Sequence, residues 1–379
     1  MKLPKLFKKT STGKIQEWEI WTSLNTIYTS TGQVDGKKTQ FEDTIKEGKN
    51  LGKTNETSVV EQAEAEAKAK WEKQLKKGYV SSPEDAAEGK VNKEFVVGGY
   101  KPMLAHKFKD QSKKIIYPAY VQPKLDGIRA CLDEGKLFTR TQKPINTCAH
   151  IEEQLEEMGF TDFKLDGELY NHLFKEDFEK ISSAVRKEKE DSPYRMDINY
   201  HVYDVNIDAP FEERLSLLED LNRAVAKYYE KHDRTFIYAV RGQTISGEEG
   251  VERLAKAFQN GGYEGAMVRN LNSPYEGKRS YHLQKVKFFQ DKEFKIVGVE
   301  DGKGKMAGLA SRFILEIDDE YGKREFKATP NGNLQYLKEL YDNPSMWEGK
   351  MATVTYQGYT VKNKVPRIPK VKEIRDLNY

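Results

Sequence analysis

The sequence predicts an α+β chain of three modules: a small N-terminal α+β domain over residues 1–98, a central, largely antiparallel α+β domain over 99–290, and a small closed β-barrel over 291–379. Three observations carry that prediction. The chain has 379 residues, long for one hydrophobic core and ample for two or three. From about residue 100, short apolar runs alternate with helical patterns, the order expected of an α+β domain. After about residue 290 helical periodicity fades and strand-like runs are joined by Gly-rich turns, which suits a barrel.

The first 57 residues hold short β-prone runs, Trp18 to Trp21 and Ile27 to Thr29, broken by Gly and Asn. SVVEQAEAEAKAKWEKQLKKGY follows, rich in Ala, Glu and Lys with opposite charges at helical spacing, and predicts one amphipathic helix ending at Gly78. Residues 81–99 mix Ser, Pro, Glu and Gly without periodicity and read as a connector. In the central domain YVQPKL, FKLDGEL and YHVYDVNI read as strands, and HIEEQLEEM and FEERLSLLEDLNRAVAKYYEK as helices. FKIVGVEDG, RFILEIDD, REFKA and MATVTYQGY supply the barrel strands, and GKGKMAG at 302–308 reads as a barrel turn.

Composition excludes more than it assigns. Charged residues make up 32% of the chain and hydrophobic ones 37%, so much of the surface is charged. Net charge is only +3, so a nucleic-acid partner would have to be held by local clusters of Lys and Arg. Residues 1–100 are nearly balanced in charge, and Lys5, Lys8, Lys9 and Lys14 read as a solvated edge. Cys131 and Cys148 have neither CxxC nor Cys/His spacing, which argues against zinc or a disulfide framework and fits a reducing compartment. No apolar run approaches membrane-spanning length, and no apolar segment follows the basic N-terminus. HExxH, GxSxG, GxxxxGK[ST] and GxGxxG are all absent.

The strongest chemical signal is QPKLDGIR at 122–129, where Lys124 ends an apolar run and is followed by Asp126, Gly127 and Arg129. A lysine can act as a nucleophile once neutral; with a free pKa near ~10.4 it needs desolvation or nearby cations to lose its proton. Alone, KLDG is a tetrapeptide that chance supplies often. Further segments stand in order behind it: Thr139-Arg140, LDGEL at 165–169, VYDV at 202–205, YEGAMVRN at 263–270 and LQKVKF at 283–288.

This ordered series resembles the covalent nucleotidyltransferases, which comprise ATP-dependent DNA ligases, RNA ligases and mRNA capping enzymes. Lys124, Asp126, Gly127 and Arg129 match KxDGxR; Glu168, Tyr203, Glu264 with Gly265, and the pair Lys285 and Lys287 match the later motifs. FKIVGVEDGKGKMAGLASRFILEI and KVPRIPKVKEIRD resemble the two ends of a ligase's oligonucleotide-binding barrel, and KPMLAHKF the entry to its nucleotidyl domain. The resemblance implies an adenylation (nucleotidyltransferase, ATP-grasp-like) domain over 99–290 followed by an OB-fold β-barrel. Residues 1–98 faintly resemble a WGR-type nucleic-acid-binding domain, without its Trp-Gly-Arg.

What the resemblance implies can be set beside elementary chemistry. Lys124 would attack the α-phosphorus of ATP, with Lys285, Lys287 and Mg²⁺ (or Mn²⁺) offsetting the charge that gathers on the phosphoryl oxygens. Glu168 and Glu264 are suitable hard oxygen ligands for the metal or hydrogen-bond acceptors for the ribose. Tyr203 would stack on adenine, and Gln122 would read the base edge with its amide. Arg129 and Arg140 are forks suited to ribose or a 5′-phosphate, and Arg367 is placed, with Lys370, for the pyrophosphate. The expected activity is ATP-dependent sealing of 5′-phosphate/3′-hydroxyl nicks in duplex DNA by a cytoplasmic monomer with no membrane attachment. An RNA ligase, a capping enzyme and a non-catalytic nucleic-acid-binding protein with a ligase-like core stay open at this point.

Overall fold

The structure, a computed structural model, describes residues 1–10, 12–50, 56–90, 98–188, 191–303 and 306–375. It divides into two compact units, one of Met1–Val96, Asp291–Tyr356 and Val365–Tyr379, the other of Val97–Gln290 and Gln357–Lys364.

In the first unit, β1 (Leu6–Lys9), β2 (Ile15–Ser23), β3 (Thr26–Gln33) and β4 (Lys38–Thr44) form an antiparallel meander in sequence order. Helix α1 (Val59–Leu75) packs on it, burying Ala63, Ala67 and Leu75 against Leu6, Trp18, Ile20 and Ile27. The helix begins at a capping box in which the Ser58 hydroxyl accepts from the Glu61 N–H and the Glu61 carboxylate accepts from the Ser58 N–H. The connector expected at 81–99 instead contains a short helix, α2 (Pro83–Glu88). Ser82 caps it, Pro83 starts it and Gly89 ends it in a left-handed conformation, signals that a search for periodicity passes over in six residues. Residues 91–97 of that stretch lie outside the described residues.

The second unit opens with β5 (Leu104–Lys107) and the single turn α3 (Phe108–Gln111). There follow β6 (Ala119–Lys124), β7 (Ile128–Asp133), β8 (Lys136–Thr139), α4 (Ala149–Glu157), β9 (Leu165–Tyr170), α5 (Phe178–Arg186), β10 (Asn199–Val205) and α6 (Phe211–His232). It closes with β11 (Ile237–Ala239), β12 (Gln243–Ile245), α7 (Glu248–Asn260), β13 (Gly265–Asn270) and β14 (Arg279–Lys287). Two five-stranded sheets result, ordered β12-β6-β13-β14-β5 and β11-β10-β9-β7-β8. Pairing is antiparallel except for β5 with β14 and β10 with β11. Leu132, Leu165, Leu169, Tyr200 and Val202 meet Ile151, Leu155, Leu218 and Leu221 of α4 and α6 in one core, and Val121, Ala266 and Val268 meet Val251 and Leu254 of α7 in another.

Back in the first unit, β15 (Gln290–Asp301), β16 (Ala310–Asp319), β17 (Gly322–Ala328), β18 (Met351–Tyr356) and β19 (Lys370–Arg375) pair in the order β17-β16-β15-β18-β19. A parallel bridge from Thr329 to Lys370, with Thr329 N donating to Pro369 O at 3.0 Å and Val371 N to Thr329 O at 2.9 Å, links the two outer strands. Between β17 and β18 lies α8 (Leu334–Asp342), contrary to the expectation that helices end before this region. It is capped by Asn333 and buries only Leu337 and Leu340, too short a stripe to read against the strand patterns around it. The 302–308 turn is closed by Gly302 N donating to Leu309 O at 3.0 Å; residues 304–305 lie outside the described residues. Among the described residues, no helix is long and apolar enough to cross a membrane.

Candidate active site

The site is built on three adjacent strands. Lys124 of β6 stands opposite Gly265 of β13, which stands opposite Lys287 of β14; one step along, Gln122, Met267 and Lys285 form a second row. Residues paired across strands share a face, so the three lysines converge on one side of the sheet. Gly265 adopts φ +148°, and a Cβ there would lie 2.1 Å from the Val286 carbonyl oxygen, so only glycine fits between the two outer lysines. Just before it, Glu264 donates its N–H to Lys124 O at 2.9 Å and offers one carboxylate oxygen to the Lys124 ammonium and the other to Lys287.

The facing sheet supplies the other wall. Arg129 of β7 pairs in register with Glu168 of β9. The Arg129 guanidinium is clamped by buried Asp166 through Nε at 2.9 Å and Nη2 at 2.5 Å, and Asp166 also accepts from the Tyr275 hydroxyl at 2.6 Å. Gly127 lets the turn after Lys124 lie against β9, since a Cβ there would meet Leu169 O at 2.4 Å and Glu168 Cγ at 2.8 Å. Tyr203 sits where the β9–β10 register slips between Val202 and Asp204, a bulge that re-aims its side chain. Its hydroxyl reaches Glu168 at 3.5 Å, and its ring lies 5.8 Å from the Arg129 and 5.7 Å from the Arg269 guanidinium. The cleft between the walls, about 890 Å³ including its open mouth, is lined by Gln122, Lys124, Arg129, Arg140, Glu168, Tyr203 and Lys285.

Of the expected site residues, Lys287 and Glu264 flank the cleft through their ion pairs with each other and Lys124. Arg140 is exposed at the cleft. Arg367 belongs to the first unit and is not among the residues lining the cleft. Gln122 lines the cleft and is tightly held. It is 1% exposed, its amide N–H groups go to Tyr203 O at 3.3 Å and Val240 O at 3.0 Å, and its oxygen accepts from Arg269 Nε at 3.1 Å. An amide so committed ties strands together at the cleft wall.

Sequence reasoning missed the group behind Tyr203. Asp204, fully buried, accepts from Arg214 Nε at 2.7 Å and from Arg269 Nη1 at 2.5 Å, while Arg214 also donates to Ala209 O at 2.6 Å and Ser273 O at 2.8 Å. Together with Gln122 these residues tie β10 of one sheet to β6 and β13 of the other. Met267, Leu104 and Arg279 also line the cleft without having been singled out; the next-but-one position to Gly265, on the same face, was the available signal for Met267.

Charge is held under strain here. Burial pushes the Glu168 carboxyl up to about 7, against the pull of Lys124 and Arg129, with Asp166 and Glu264 adding to the rise. Burial pushes Glu264 the same way, but Lys124 and Lys287 more than reverse it, and its carboxyl ends below its ordinary value. Lys285 is lowered by burial and by Lys287, Lys124 and Arg279. A carboxyl whose folded pKa is raised favours the fold most below its unfolded value of 4.5, and that contribution is lost as pH climbs through 7. Relative to a Glu168→Gln variant, the unliganded protein is therefore expected to lose thermal stability between about pH 4.5 and 7 and to level off above that. Parallel curves for the two proteins over that interval would show that Glu168 does not titrate there.

A family model for the ATP dependent DNA ligase domain matches residues 102–287. The chain is 31% identical over 350 residues to a DNA ligase of African swine fever virus, covering 85% of this chain and 77% of that protein. It is 28% identical over 262 residues to the DNA ligase of Haemophilus influenzae, covering 69% of this chain and 88% of the relative. Among solved structures, a Lig E DNA ligase superposes with a TM-score of 0.60 at 26% identity, over 74% of this chain and all of the other.

Proposed function

The chain belongs to the ATP-dependent DNA ligases, and from that premise we propose that Lys124 is the residue that carries AMP, with Lys285 and Lys287 as its catalytic partners. The observation that carries this is the row of Lys124, Gly265 and Lys287 across three strands, with Glu264 holding an ammonium on each carboxylate oxygen. Lys124 Nζ, once it has given up its proton, attacks the α-phosphorus; the bond to the bridging oxygen breaks and pyrophosphate leaves with the electron pair. The AMP then passes to the 5′-phosphate at a nick, and attack by the 3′-hydroxyl forms the phosphodiester and releases AMP. Glu264, held below the usual carboxylate range, orients the two lysines better than it accepts a proton. Lys285 and Lys287 lie on the face where phosphoryl charge gathers.

Tyr203 and Met267, on facing walls, are assigned to the two faces of adenine, and Arg129, fixed by Asp166, and Arg140 to ribose or phosphate oxygens. Gln122 is assigned to positioning Tyr203. Mg²⁺ fits beside Glu168, a half-buried carboxyl crowded by Asp166 and Glu264 whose charged form a cation would restore, with Glu264 close by. Among the described residues no group of three metal-ligating side chains occurs, so phosphate and water oxygens would complete the shell. The metal supplies charge neutralisation at the phosphates.

For the remaining modules the supports are architectural. The ring order β17-β16-β15-β18-β19 closed back through Thr329 and Lys370, with a helix between the third and fourth strands, supports an OB-fold over 291–379. Arg367 is retained on it as a pyrophosphate-binding residue. Residues 1–98 are assigned to nucleic-acid binding, 99–290 to adenylation, and the protein to work as a monomer on nicked duplex DNA in the cytoplasm of a bacterial or virus-infected cell.

The test of the base-binding roles is Tyr203→Ala. Losing a base stack of roughly 1–3 kcal/mol raises the ATP concentration for half-maximal adenylation by roughly five- to 150-fold. An unaltered ATP requirement would remove Tyr203 from the base site.

A further inference from the structure

The N-terminal module is nearly neutral in sum, but its fold separates the charges. Along β2, Trp18 and Ile20 face α1, and the intervening Glu17 and Glu19 point to the opposite face. There they meet their own cations: Lys2 reaches Glu19 at 2.8 Å, Lys38 reaches Glu17 at 3.2 Å and Lys5 reaches Glu17 at 3.6 Å. That face cancels itself. Helix α1 is unevenly charged along its length as well, with Glu61, Glu64 and Glu66 in its first half and Lys68, Lys70 and Lys73 against the single Glu72 in its second.

The lysine half borders a groove of about 960 Å³ between α1 and the sheet, walled by Lys70, Lys73 and Lys77 and floored by Trp18. It continues into an adjoining hollow of about 940 Å³ that shares Trp18 and Lys77 and adds Lys8 and Lys9. The contacts of Lys8 and Lys9 leave their charge standing. Lys8 Nζ donates to the Lys77 carbonyl and Lys9 Nζ to the Ala87 carbonyl at 3.0 Å, bonds that hold an ammonium without neutralising it. Lys73 has no ion-pair partner among the described residues, and Lys70 pairs with Asp43 at 3.0 Å. The acidic lining is Glu42 and Asp43, both at the Lys70 end, where Lys303 of the barrel also approaches Asp43, at 3.9 Å.

We propose that this groove carries the sugar-phosphate backbone of duplex DNA flanking the nick. Lys70 and Lys73 lie about one turn apart on α1 and Lys77 follows in the turn after its end, a spacing on the order of the axial rise of two to three phosphates on one strand. Trp18 is only 6% exposed and unavailable for stacking, so the groove suits a duplex backbone better than unstacked single-strand bases. The inference rests on the reading of residues 1–98 as a nucleic-acid-binding module and names its face and its partner.

The test compares two variants of the full-length protein with wild type. One carries Lys70→Gln, Lys73→Gln and Lys77→Gln; the other carries Lys2→Gln, Lys5→Gln and Lys38→Gln on the self-paired face. Each is titrated with a nicked duplex ending in a 3′-dideoxy residue, so that it binds without being sealed, across a series of salt concentrations. Thermal melting and adenylation by ATP, unchanged in both, show that the fold and the Lys124 site are intact. The groove variant is expected to bind more weakly, with a slope of log affinity against log salt shallower by roughly 2–3 units, and the other variant to match wild type. Loss of slope only in the second variant would overturn the groove while leaving a DNA-binding module. An unchanged slope in both would overturn the groove and the module's assigned role together, and equal losses in both would show unspecific attraction and overturn the groove alone.

Discussion

Lys124→Ala is expected to abolish formation of the protein–AMP adduct while leaving the fold intact. The residue lies at the end of β6 and is part-exposed at the cleft, so truncation opens no cavity in the core. It does free one oxygen of Glu264, which keeps Lys287 on the other. Lys285 and Lys287 stay on the same face of the sheet, but each belongs to β14, two strands away from β6, and neither takes the place of Lys124 at the phosphorus. The same variant should retain sealing of a nick already carrying a 5′-adenylate, because that step uses the cleft and not the nucleophile. Measured by transfer of label from α-labelled ATP, adduct yield should fall below detection. Undiminished labelling would assign the chemistry to another amine.

Asp204→Ala is expected to be the most destabilising single change at the site. Its carboxylate is buried between Arg214 and Arg269, which are themselves 0% and 3% exposed, so removing it leaves two guanidiniums desolvated without a counter-charge. Breaking a buried pair in this way costs about 3–5 kcal/mol. The cost extends to function, since the bulge holding Tyr203 loses its anchor and the ATP requirement should rise alongside the fall in melting temperature. Asp204→Asn, which keeps the shape and one acceptor, should lose less. A loss below about 1 kcal/mol for Asp204→Ala would mean that the network does not hold the two sheets together.

The contrast between these two residues shows what the sequence could display. Lys124 announces itself because its neighbours are constrained locally: Gly127 has to pass under Leu169 O, Gly265 has to leave room before Val286 O, and alternation on β14 puts Lys285 and Lys287 on one face. Strands whose apolar residues alternate, such as YHVYDVNI, are readable for the same reason. Asp204 and Arg214 are not, because Arg214 lies in FEERL, where an arginine beside two glutamates reads as a solvated helix face; only the packing of α6 on β10 buries it. Gln122 is only half legible, since its place two residues before the nucleophile gives no sign that Arg269, 147 positions away, donates to its oxygen. In the N-terminal module the near-zero charge sum hides a division between two sheet faces that depends wholly on β2 alternation and on where α1 lands.

The central claim is that one AMP is carried on one lysine of the row formed by Lys124, Gly265 and Lys287. The most direct measurement is to incubate the full-length protein with ATP and Mg²⁺ and no DNA, and to locate the adduct by peptide mass spectrometry under alkaline conditions, which preserve a phosphoramidate. The account predicts a single AMP on Lys124, lost when pyrophosphate is added back; an adduct on Lys285, Lys287 or any other residue, or none at all, would contradict it.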